Sequence, residues 1–281
     1  MEDGSERDRG TTELMPYWDR LANERAGDDP LKVVGYPGAP GWFNRFFARS
    51  QRRAVAGLIG RENLAGSRCL DVGCGAGRWC RWLASQGAAS VVGVDPTAAI
   101  LEVAKSVSPG MDFLPMSATQ LGFAAESFDV VTCVTVIQHL RPEEQDLAAA
   151  ELCRVLRPGG LLFVLDLIDT GDPGRIVFPR PASAWVDLYR RSGLRLERWS
   201  GQEYVPLFRA LTTLLAAIKP APRKGEAVTE TLLEHVGRVP YVFLPLWPVM
   251  MLSYPLELAC EKLLPATWAR HGSFLFRKSA R

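Results

Sequence analysis

The sequence predicts an α/β fold built on a parallel β-sheet, and three observations support this prediction. A short apolar run at 69–72 leads into three glycines at alternate positions within 73–77. A segment of helical character follows at 78–86, and a second apolar run at 90–95 ends in an acidic residue. A strand, a glycine-rich turn, a helix and a second strand in this order open nucleotide-binding α/β domains. We therefore expect a ligand site where the first strand meets the first helix.

The glycine turn indicates which ligands are compatible with that site. Glycine tolerates positive φ angles and lets the backbone approach a ligand, and the following helix offers unpaired N–H groups. The spacing here is Gly73-x-Gly75-x-Gly77, whereas dinucleotide sites use G-x-G-x-x-G. The early third glycine, with Asp71 before the first, counts against NAD and FAD. The alternative is a tight turn that binds nothing.

Asp95 ends the second predicted strand. It follows the glycine turn by about 20 residues, the spacing at which a carboxylate reaches ribose hydroxyl groups. A carboxylate accepts hydrogen bonds from both hydroxyls of a cis-diol, and such charged contacts are strong. A cap at the end of the strand is the alternative role, and we favour ribose binding.

Between residues 69 and 165 the chain resembles the class I S-adenosylmethionine-dependent methyltransferases. LDVGCGAG at 70–77 is similar to the first motif of that family, and VGVD at 92–95 is similar to the second. The stretch 116–131, with MSA at its start and ESFDVV at its end, resembles the adenine-side loop and the fourth strand. LCRVLRPGGL at 152–161 resembles the helix, turn and fifth strand.

The resemblance implies a Rossmann-like, seven-stranded methyltransferase sheet with an N-terminal helical cap and a helical insertion before the last strand. Strands six and seven are expected at 194–199 and 273–278. The predicted organisation has four segments: a disordered tail with the helical cap at 1–60, the S-adenosylmethionine-binding core at 61–200, the insertion at 201–270 and the last strand at 271–281.

The resemblance also implies S-adenosylmethionine as the cofactor. The glycine turn would present its backbone to the methionine and ribose portions, and Asp71 would orient that turn or meet the amino group through water. Asp95 would hold the ribose, Pro96 would pack on the adenine, and Tyr17 would reach the methionine end. The implied cofactor-binding residues are Tyr17, Asp71, Gly73, Cys74, Gly75, Asp95, Pro96, Ser117, Ala118, Val134 and Thr135.

The adenine-side loop departs from the family pattern. Many relatives carry an acid at the position of Ser117, where it accepts a hydrogen bond from the adenine amino group. A hydroxyl can accept the same bond without charge, so we expect a weaker contact, with the Ala118 backbone also at the adenine edge. Val134 and Thr135 would offer backbone near the methionine ammonium group.

Two residues are candidates for catalysis. His139 follows the fourth strand and has the ordinary pKa range of a general base, although a role in the scaffold or cofactor pocket is the alternative. Asp166 ends the fifth strand and would orient a substrate amine or hydroxyl, with capping of a loop as the alternative. The spacing of the six cysteines predicts no metal site.

The predicted insertion is strongly apolar. Helices are expected at 205–218 and 226–236, and residues 239–260 carry a single charged residue, Glu257. Length alone would allow a membrane span, but four prolines interrupt the run and the span would separate two sheet strands. We expect no transmembrane helix. The insertion is then a lid over an apolar substrate, an interface of a homodimer, or a membrane-surface contact through 239–260.

Composition supports an ordinary globular chain. Of 281 residues, 47% are hydrophobic and 23% charged, and the net charge of +2 provides no field that attracts nucleic acid. Residues 1–12 are polar, so a signal peptide is not expected. The cysteines do not occur at the paired spacings of a disulfide framework or a metal site, which indicates reduced thiols. We therefore expect a cytoplasmic protein.

The function predicted from the resemblance and the apolar insertion is methyl transfer to a small hydrophobic acceptor: a secondary metabolite, a prenyl compound or a lipid-like molecule. O-methylation is the first choice, and N- or C-methylation stays open. A non-catalytic protein that binds S-adenosylmethionine and a partner is the second hypothesis. An RNA methyltransferase, the third, would bind RNA in a salt-sensitive manner.

Overall fold

The computed structural model describes residues 10–24, 30–31, 41–170, 177–204 and 246–280. Seven strands form one sheet in the order β3-β2-β1-β4-β5-β7-β6, and β7 runs antiparallel to both of its neighbours. The predicted seven-stranded Rossmann-like sheet with N-terminal helices is therefore confirmed. The strands are β1 Arg68–Val72, β2 Ser90–Asp95, β3 Asp112–Pro115, β4 Phe128–Val134, β5 Leu156–Leu167, β6 Leu194–Gln202 and β7 His271–Lys278.

Helices cover both faces of this sheet. One face packs against α2 and α3 through side chains such as Val55, Leu83 and Phe163. The other packs against α5 and α6 through Leu152 and Trp185. Parallel strands buried on both faces need the near-continuous apolar sequence seen in β1, β4 and β5. The helices are α1 Gly10–Glu24, α2 Gly41–Leu58, α3 Arg78–Ser85, α4 Ala98–Val107, α5 Pro142–Val155, α6 Ala182–Arg191 and α7 Leu246–Leu263.

The strand order reverses at β1. This strand pairs with β2 on one side and with β4 on the other, both in parallel. The connections that leave β1 and β4 therefore separate, and a crevice opens beyond the carboxyl ends of the strands. Ligands of open α/β sheets bind at this point.

Several elements are longer than the sequence pattern predicts. β5 begins at Leu156, which pairs with Phe128, and an irregularity in register follows before Val130 pairs with Leu161. The turn-forming glycines before Leu161 thus lie inside the strand as a bulge. β6 continues to Gln202, so the predicted boundary at 200/201 lies within it.

The C-terminal half of the insertion contains a helix that the prolines do not break. α7 runs through Pro255, because one proline inside a helix removes a single hydrogen bond that packing can offset. The predicted helices at 205–218 and 226–236 lie outside the described residues. Among the helices that are described, none is both long enough and apolar enough to cross a membrane.

Two glycines allow a test of packing around the first turn. Gly77 and Gly110 have φ angles of +73° and +89°. A Cβ at Gly77 would lie 2.7 Å from Cζ of Phe113, whereas nothing lies within 4 Å of a Cβ at Gly110. Gly110→Ala should lower the free energy of unfolding by about 1–2 kcal/mol through backbone strain alone. Gly77→Ala should cost about 1–3 kcal/mol more, because the phenylalanine ring must move.

Urea denaturation of both variants measures this difference. Gly110→Ala is the matched control because it carries the same backbone strain without the clash. Equal losses in the two variants would show that the ring of Phe113 does not constrain the turn.

Candidate cofactor site and active site

The glycine turn is held against β2 by backbone hydrogen bonds. The Cys74 N–H donates to the Val94 carbonyl at 2.9 Å, and the Gly77 N–H donates to the Cys74 carbonyl at 2.9 Å. A Cβ at Gly73 would lie 2.2 Å from Cγ2 of Val136, in the loop that follows β4. Glycine at 73 is thus required by the protein's own packing, which brings the β4 loop directly onto the turn.

Asp95 connects that turn to the start of α4. One carboxylate oxygen accepts the Gly75 N–H at 3.1 Å, and the other accepts the Thr97 N–H at 3.0 Å. Burial raises the pKa of Asp95, although these hydrogen bonds oppose the rise, and the charge of Asp19 adds to it. A carboxylate has about four acceptor positions, so each oxygen can still accept a hydroxyl group.

Asp71 lies completely buried beneath the turn. Its oxygens accept a hydrogen bond from the Thr132 hydroxyl at 2.7 Å and one from the Cys80 thiol at 3.5 Å. Burial raises its pKa to about 7, while these two hydrogen bonds and the charge of Arg78 oppose the rise. Asp71 therefore connects β1 to β4 and to the first turn of α3.

The adenine-side loop uses the Ser117 hydroxyl for its own turn. This oxygen lies 2.8 Å from the Thr119 hydroxyl and accepts the Thr119 N–H at 3.2 Å. Ala118 beside it is buried, whereas Pro96 at the end of β2 is exposed. Ser117 thus offers a cofactor only its remaining hydrogen-bonding capacity.

The loop after β4 has a strained backbone at its first residue. Thr135 has a φ angle of +57°, which is rare for a β-branched residue. Its N–H donates to the Leu165 carbonyl at 2.6 Å and its hydroxyl to the Val134 carbonyl at 2.7 Å. These bonds hold the loop at the end of the central strands, where strained residues often serve function.

Helix α1 crosses the carboxyl ends of the strands. The ring of Trp18 meets that of His139 edge to face, with ring centres 5.8 Å apart, and meets Tyr17 in the same manner at 5.1 Å. Ala22 of the same helix packs on Ile100 of α4. The helix therefore encloses the crevice between the β2 and β4 ends, and Tyr17 is itself buried.

The two catalytic candidates occupy different surroundings. His139 is half-buried in a short 3₁₀ turn, and its Nε2 lies 3.4 Å from Nε2 of Gln138. Asp166 is fully buried, and burial raises its pKa well above the ordinary range. It accepts the Gln138 N–H at 3.2 Å, and its second oxygen has no partner among the described residues. Asp166 therefore caps the loop after β4, and a role with substrate stays a prediction for both residues.

A second polar cluster at this edge was not predicted. Nδ1 of His271 and Oε2 of Glu203 form a buried hydrogen-bond contact at the ends of β7 and β6, and Glu257 of α7 accepts the Glu203 N–H. The sequence signal was the single charge in the apolar run 239–260. Among the described residues, this cluster included, no group of three or more histidine, cysteine or acidic residues is arranged to hold a metal ion.

Comparison with known proteins identifies the family. A family model for a methyltransferase domain matches residues 70–164. A protein of Saccharophagus degradans named ubiquinone biosynthesis O-methyltransferase is 32% identical over 174 residues, which cover 52% of this chain and 71% of that protein. The chain belongs to the class I S-adenosylmethionine-dependent methyltransferases. Its activity is S-adenosylmethionine-dependent methyl transfer, and S-adenosylmethionine is its cofactor.

Other curated relatives of this methyltransferase carry the same name. The Sinorhizobium medicae protein is 35% identical over 171 residues, covering 58% of this chain and 62% of that protein. The Mesorhizobium japonicum protein is 37% identical over 122 residues, covering 40% of this chain and 48% of that protein. For these two relatives the match spans less than two thirds of their length.

Solved structures agree in fold. An S-adenosylmethionine-dependent methyltransferase of Mesorhizobium loti has a TM-score of 0.51 at 16% identity, covering 80% of this chain and 98% of that chain. The cyclase SpnF has a TM-score of 0.58 at 20% identity, covering 95% of this chain and 96% of that one. At these identities the likeness concerns the fold alone, and one fold supports several chemistries.

The residues at the crevice fit the cofactor. Asp95 presents a carboxylate with spare acceptor capacity beside the glycine turn, as a ribose diol requires. The backbone of Gly73, Cys74 and Gly75 and the carboxylate of Asp95 would hold the cofactor. When bound, S-adenosylmethionine supplies a methyl group on a positively charged sulfur. The role of each individual residue stays a prediction.

Replacing Asp95 tests the cofactor site. Asp95→Ala should weaken binding of S-adenosylmethionine and S-adenosylhomocysteine by about 10-fold to 100-fold, because charged hydrogen bonds contribute about 1.5–3 kcal/mol. Asp95→Asn should lose less, since it retains an acceptor oxygen. Calorimetric titration measures both. The control is Asp112→Asn on the exposed start of β3. Unchanged affinity in folded Asp95→Ala would remove Asp95 from the site.

Asp71 should make the stability of the protein depend on pH. Because its pKa is raised to about 7, the folded protein retains this proton from about pH 4, where an unfolded aspartate titrates, up to about pH 7. The free energy of unfolding therefore falls as the pH rises through this range. Asparagine does not ionise, so Asp71→Asn should remove this fall in the free energy of unfolding.

Thermal unfolding between pH 5 and pH 8 measures this effect. The melting temperature of Asp71→Asn minus that of wild type should be at least about 2 °C larger at pH 8 than at pH 5. Asp112→Asn should show no such trend. A constant offset of Asp71→Asn at every pH would contradict the raised pKa.

Proposed function

We propose that this methyltransferase transfers a methyl group to a hydroxyl oxygen of a small hydrophobic acceptor, such as a secondary metabolite, a prenyl compound or a lipid-like molecule. The observation that carries the proposal is the match to relatives named ubiquinone biosynthesis O-methyltransferase, one of which is covered over 71% of its length. That name describes those proteins, and the acceptor of this chain is inferred from its own residues as well.

The surroundings of the crevice favour an apolar acceptor. Tyr17 and Trp18 of α1 contribute aromatic rings over the carboxyl ends of the strands. The segment before β7 that includes α7 is apolar, with Glu257 the one charge within 239–260. Apolar pockets with a few polar groups are typical of small-molecule sites.

In-line transfer requires the acceptor oxygen to lie on the far side of the methyl carbon from the sulfur. The enzyme contributes mainly by holding the two reactants in this geometry and excluding water. A hydroxyl acceptor must also lose its proton, so a general base is needed near the crevice. His139 is one candidate base, with a scaffold or cofactor-pocket role as the alternative, and the Trp18 ring packs against it edge to face.

The remaining proposals concern the insertion and its partners. A lid over the acceptor is the role we favour for 201–270, with a homodimer interface or a membrane-surface contact through 239–260 as alternatives. All six cysteines are free thiols, which supports a cytoplasmic location. N- or C-methylation of a small molecule, and cofactor binding without catalysis, are the alternative functions, and we expect no nucleic-acid partner.

A series of 4-alkylphenols tests the proposed acceptor class. With radiolabelled S-adenosylmethionine, kcat/KM should rise as the alkyl chain lengthens from methyl to decyl. Burial of each methylene contributes about 0.8 kcal/mol, so two methylenes should raise kcat/KM by up to about tenfold. 4-Alkylanilines of the same lengths are the matched control for the accepting atom.

Each alternative has its own result in this assay. Preferential methylation of the anilines would support N-methylation and contradict the proposal. Tight cofactor binding with no turnover on either series would support the non-catalytic alternative. A kcat/KM that does not change with chain length would contradict a hydrophobic acceptor site.

A further inference from the structure

A buried hydrogen-bonded cluster joins β6, β7, α2 and α7. Nδ1 of His271 lies 3.0 Å from Oε2 of Glu203, and the Glu203 N–H donates to Oε1 of Glu257 at 2.9 Å. The same Glu257 oxygen accepts a hydrogen bond from the Ser50 hydroxyl at 3.3 Å. The side chain of Arg270 lies 3.7 Å from Oε2 of Glu203. These residues bring together four elements that are distant in sequence.

The cluster lies at the edge of the sheet where ligands bind. Because β7 runs antiparallel to β5, its first residue, His271, pairs with Leu167 at the carboxyl end of β5. It also pairs with Gln202 at the end of β6. Neighbouring strands are about 4.8 Å apart and each residue advances about 3.3 Å, which places the His271 backbone about 12 Å from the end of β4. An acceptor held beyond the ends of β4 and β5 would therefore be next to His271.

The charge state of Glu203 determines the tautomer of His271. Burial alone would raise the pKa of Glu203, but the pairing with His271 and the charge of Arg270 outweigh it and lower the pKa. An ionised carboxylate only accepts hydrogen bonds, so Nδ1 of His271 carries a proton and donates a hydrogen bond to Glu203. In the neutral ring Nε2 then has a free lone pair. Among the described residues, none hydrogen-bonds to Nε2.

The backbone of Glu203 is strained, and Glu257 holds it in place. Glu203 has a φ angle of +64°, one of three positive values among the described non-glycine residues. Its N–H in this conformation donates to Glu257, the buried acid of α7. Burial and then repulsion by Glu203 raise the pKa of Glu257 to about 7. Strain and buried charge at one sheet edge are typical of functional sites.

We propose that His271 is the general base that takes the proton of the acceptor hydroxyl, and that Glu203 positions it. This inference rests on the proposed O-methylation. The acceptor oxygen forms a bond to the methyl carbon as the carbon–sulfur bond breaks, and sulfur keeps the electron pair. The hydroxyl proton goes to Nε2 of His271, which then releases it to water. His271 is the catalytic residue here, and Glu203 and Glu257 are positioning residues.

Two acceptors of different acidity test the proposal. A 4-alkylphenol is protonated near pH 8, whereas its 2-nitro derivative is largely ionised there and needs no base. His271→Asn keeps a donor for Glu203 but lacks Nε2. This variant should lower kcat on the alkylphenol by about 100-fold or more, the typical contribution of general base catalysis. Its kcat on the nitrophenol should stay within about threefold of wild type.

Further variants separate catalysis from structure. Glu203→Gln should lower kcat on the alkylphenol by about tenfold and spare the nitrophenol, and it carries the same test if His271→Asn does not fold. Binding of S-adenosylhomocysteine should be unchanged in both. Glu261→Gln is the matched control, because this second acid of α7 pairs with Arg53 and has no contact with Glu203 in the described structure.

The outcomes distinguish this inference from the proposed function. Equal losses on both phenols in His271→Asn, or no loss on either, overturn the role of His271. If His139→Asn selectively lowers kcat on the alkylphenol while His271→Asn keeps the wild-type kcat, the base is His139. This result also overturns the role of His271. If wild type binds S-adenosylhomocysteine but methylates neither phenol, the proposed O-methylation fails, and the role of His271 fails with it.

Discussion

The hydrogen bond from the Gly75 N–H to the Asp95 carboxylate is the constraint on which the predicted cofactor site depends. This one side chain also accepts the Thr97 N–H, so it fixes the glycine turn and the start of α4 together. The strand order reverses beside it, because β1 has β2 on one side and β4 on the other. The open end of the sheet, the backbone donors and the acid therefore converge on one crevice.

Buried acids are concentrated along this edge of the sheet. Asp71, Asp95, Asp166 and Glu257 all have pKa values raised by burial, which means that the fold holds them at the expense of stability. Asp71 and Asp166 each connect a strand end to a neighbouring element. A chain selected for stability alone would replace some of these acids, and buried acids with shifted pKa values are typical of functional sites.

Two helices from opposite ends of the chain reach the crevice region. α1 lies over the β2 and β4 ends through contacts of Trp18 and Ala22, whereas α7 contacts Glu203, directly after β6, through Glu257. The two ends of the chain thus meet the same edge of the sheet.

The sequence by itself determined the strand–turn–helix unit, the acid at Asp95 and the positions of β6 and β7. The strand–turn–helix unit follows from short-range periodicity and from glycine spacing, which depend on neighbouring residues. The positions of β6 and β7 follow from the resemblance to the methyltransferase family. The tertiary structure alone decided that Trp18 meets His139 and that His271 pairs with Glu203, 68 residues away. Ser50 and Glu257 are 207 residues apart. The pair of His271 and Glu203 depends on β7 lying antiparallel between β5 and β6. The other two pairs depend on the packing of α1 and of α7, and no local pattern encodes these long-range arrangements.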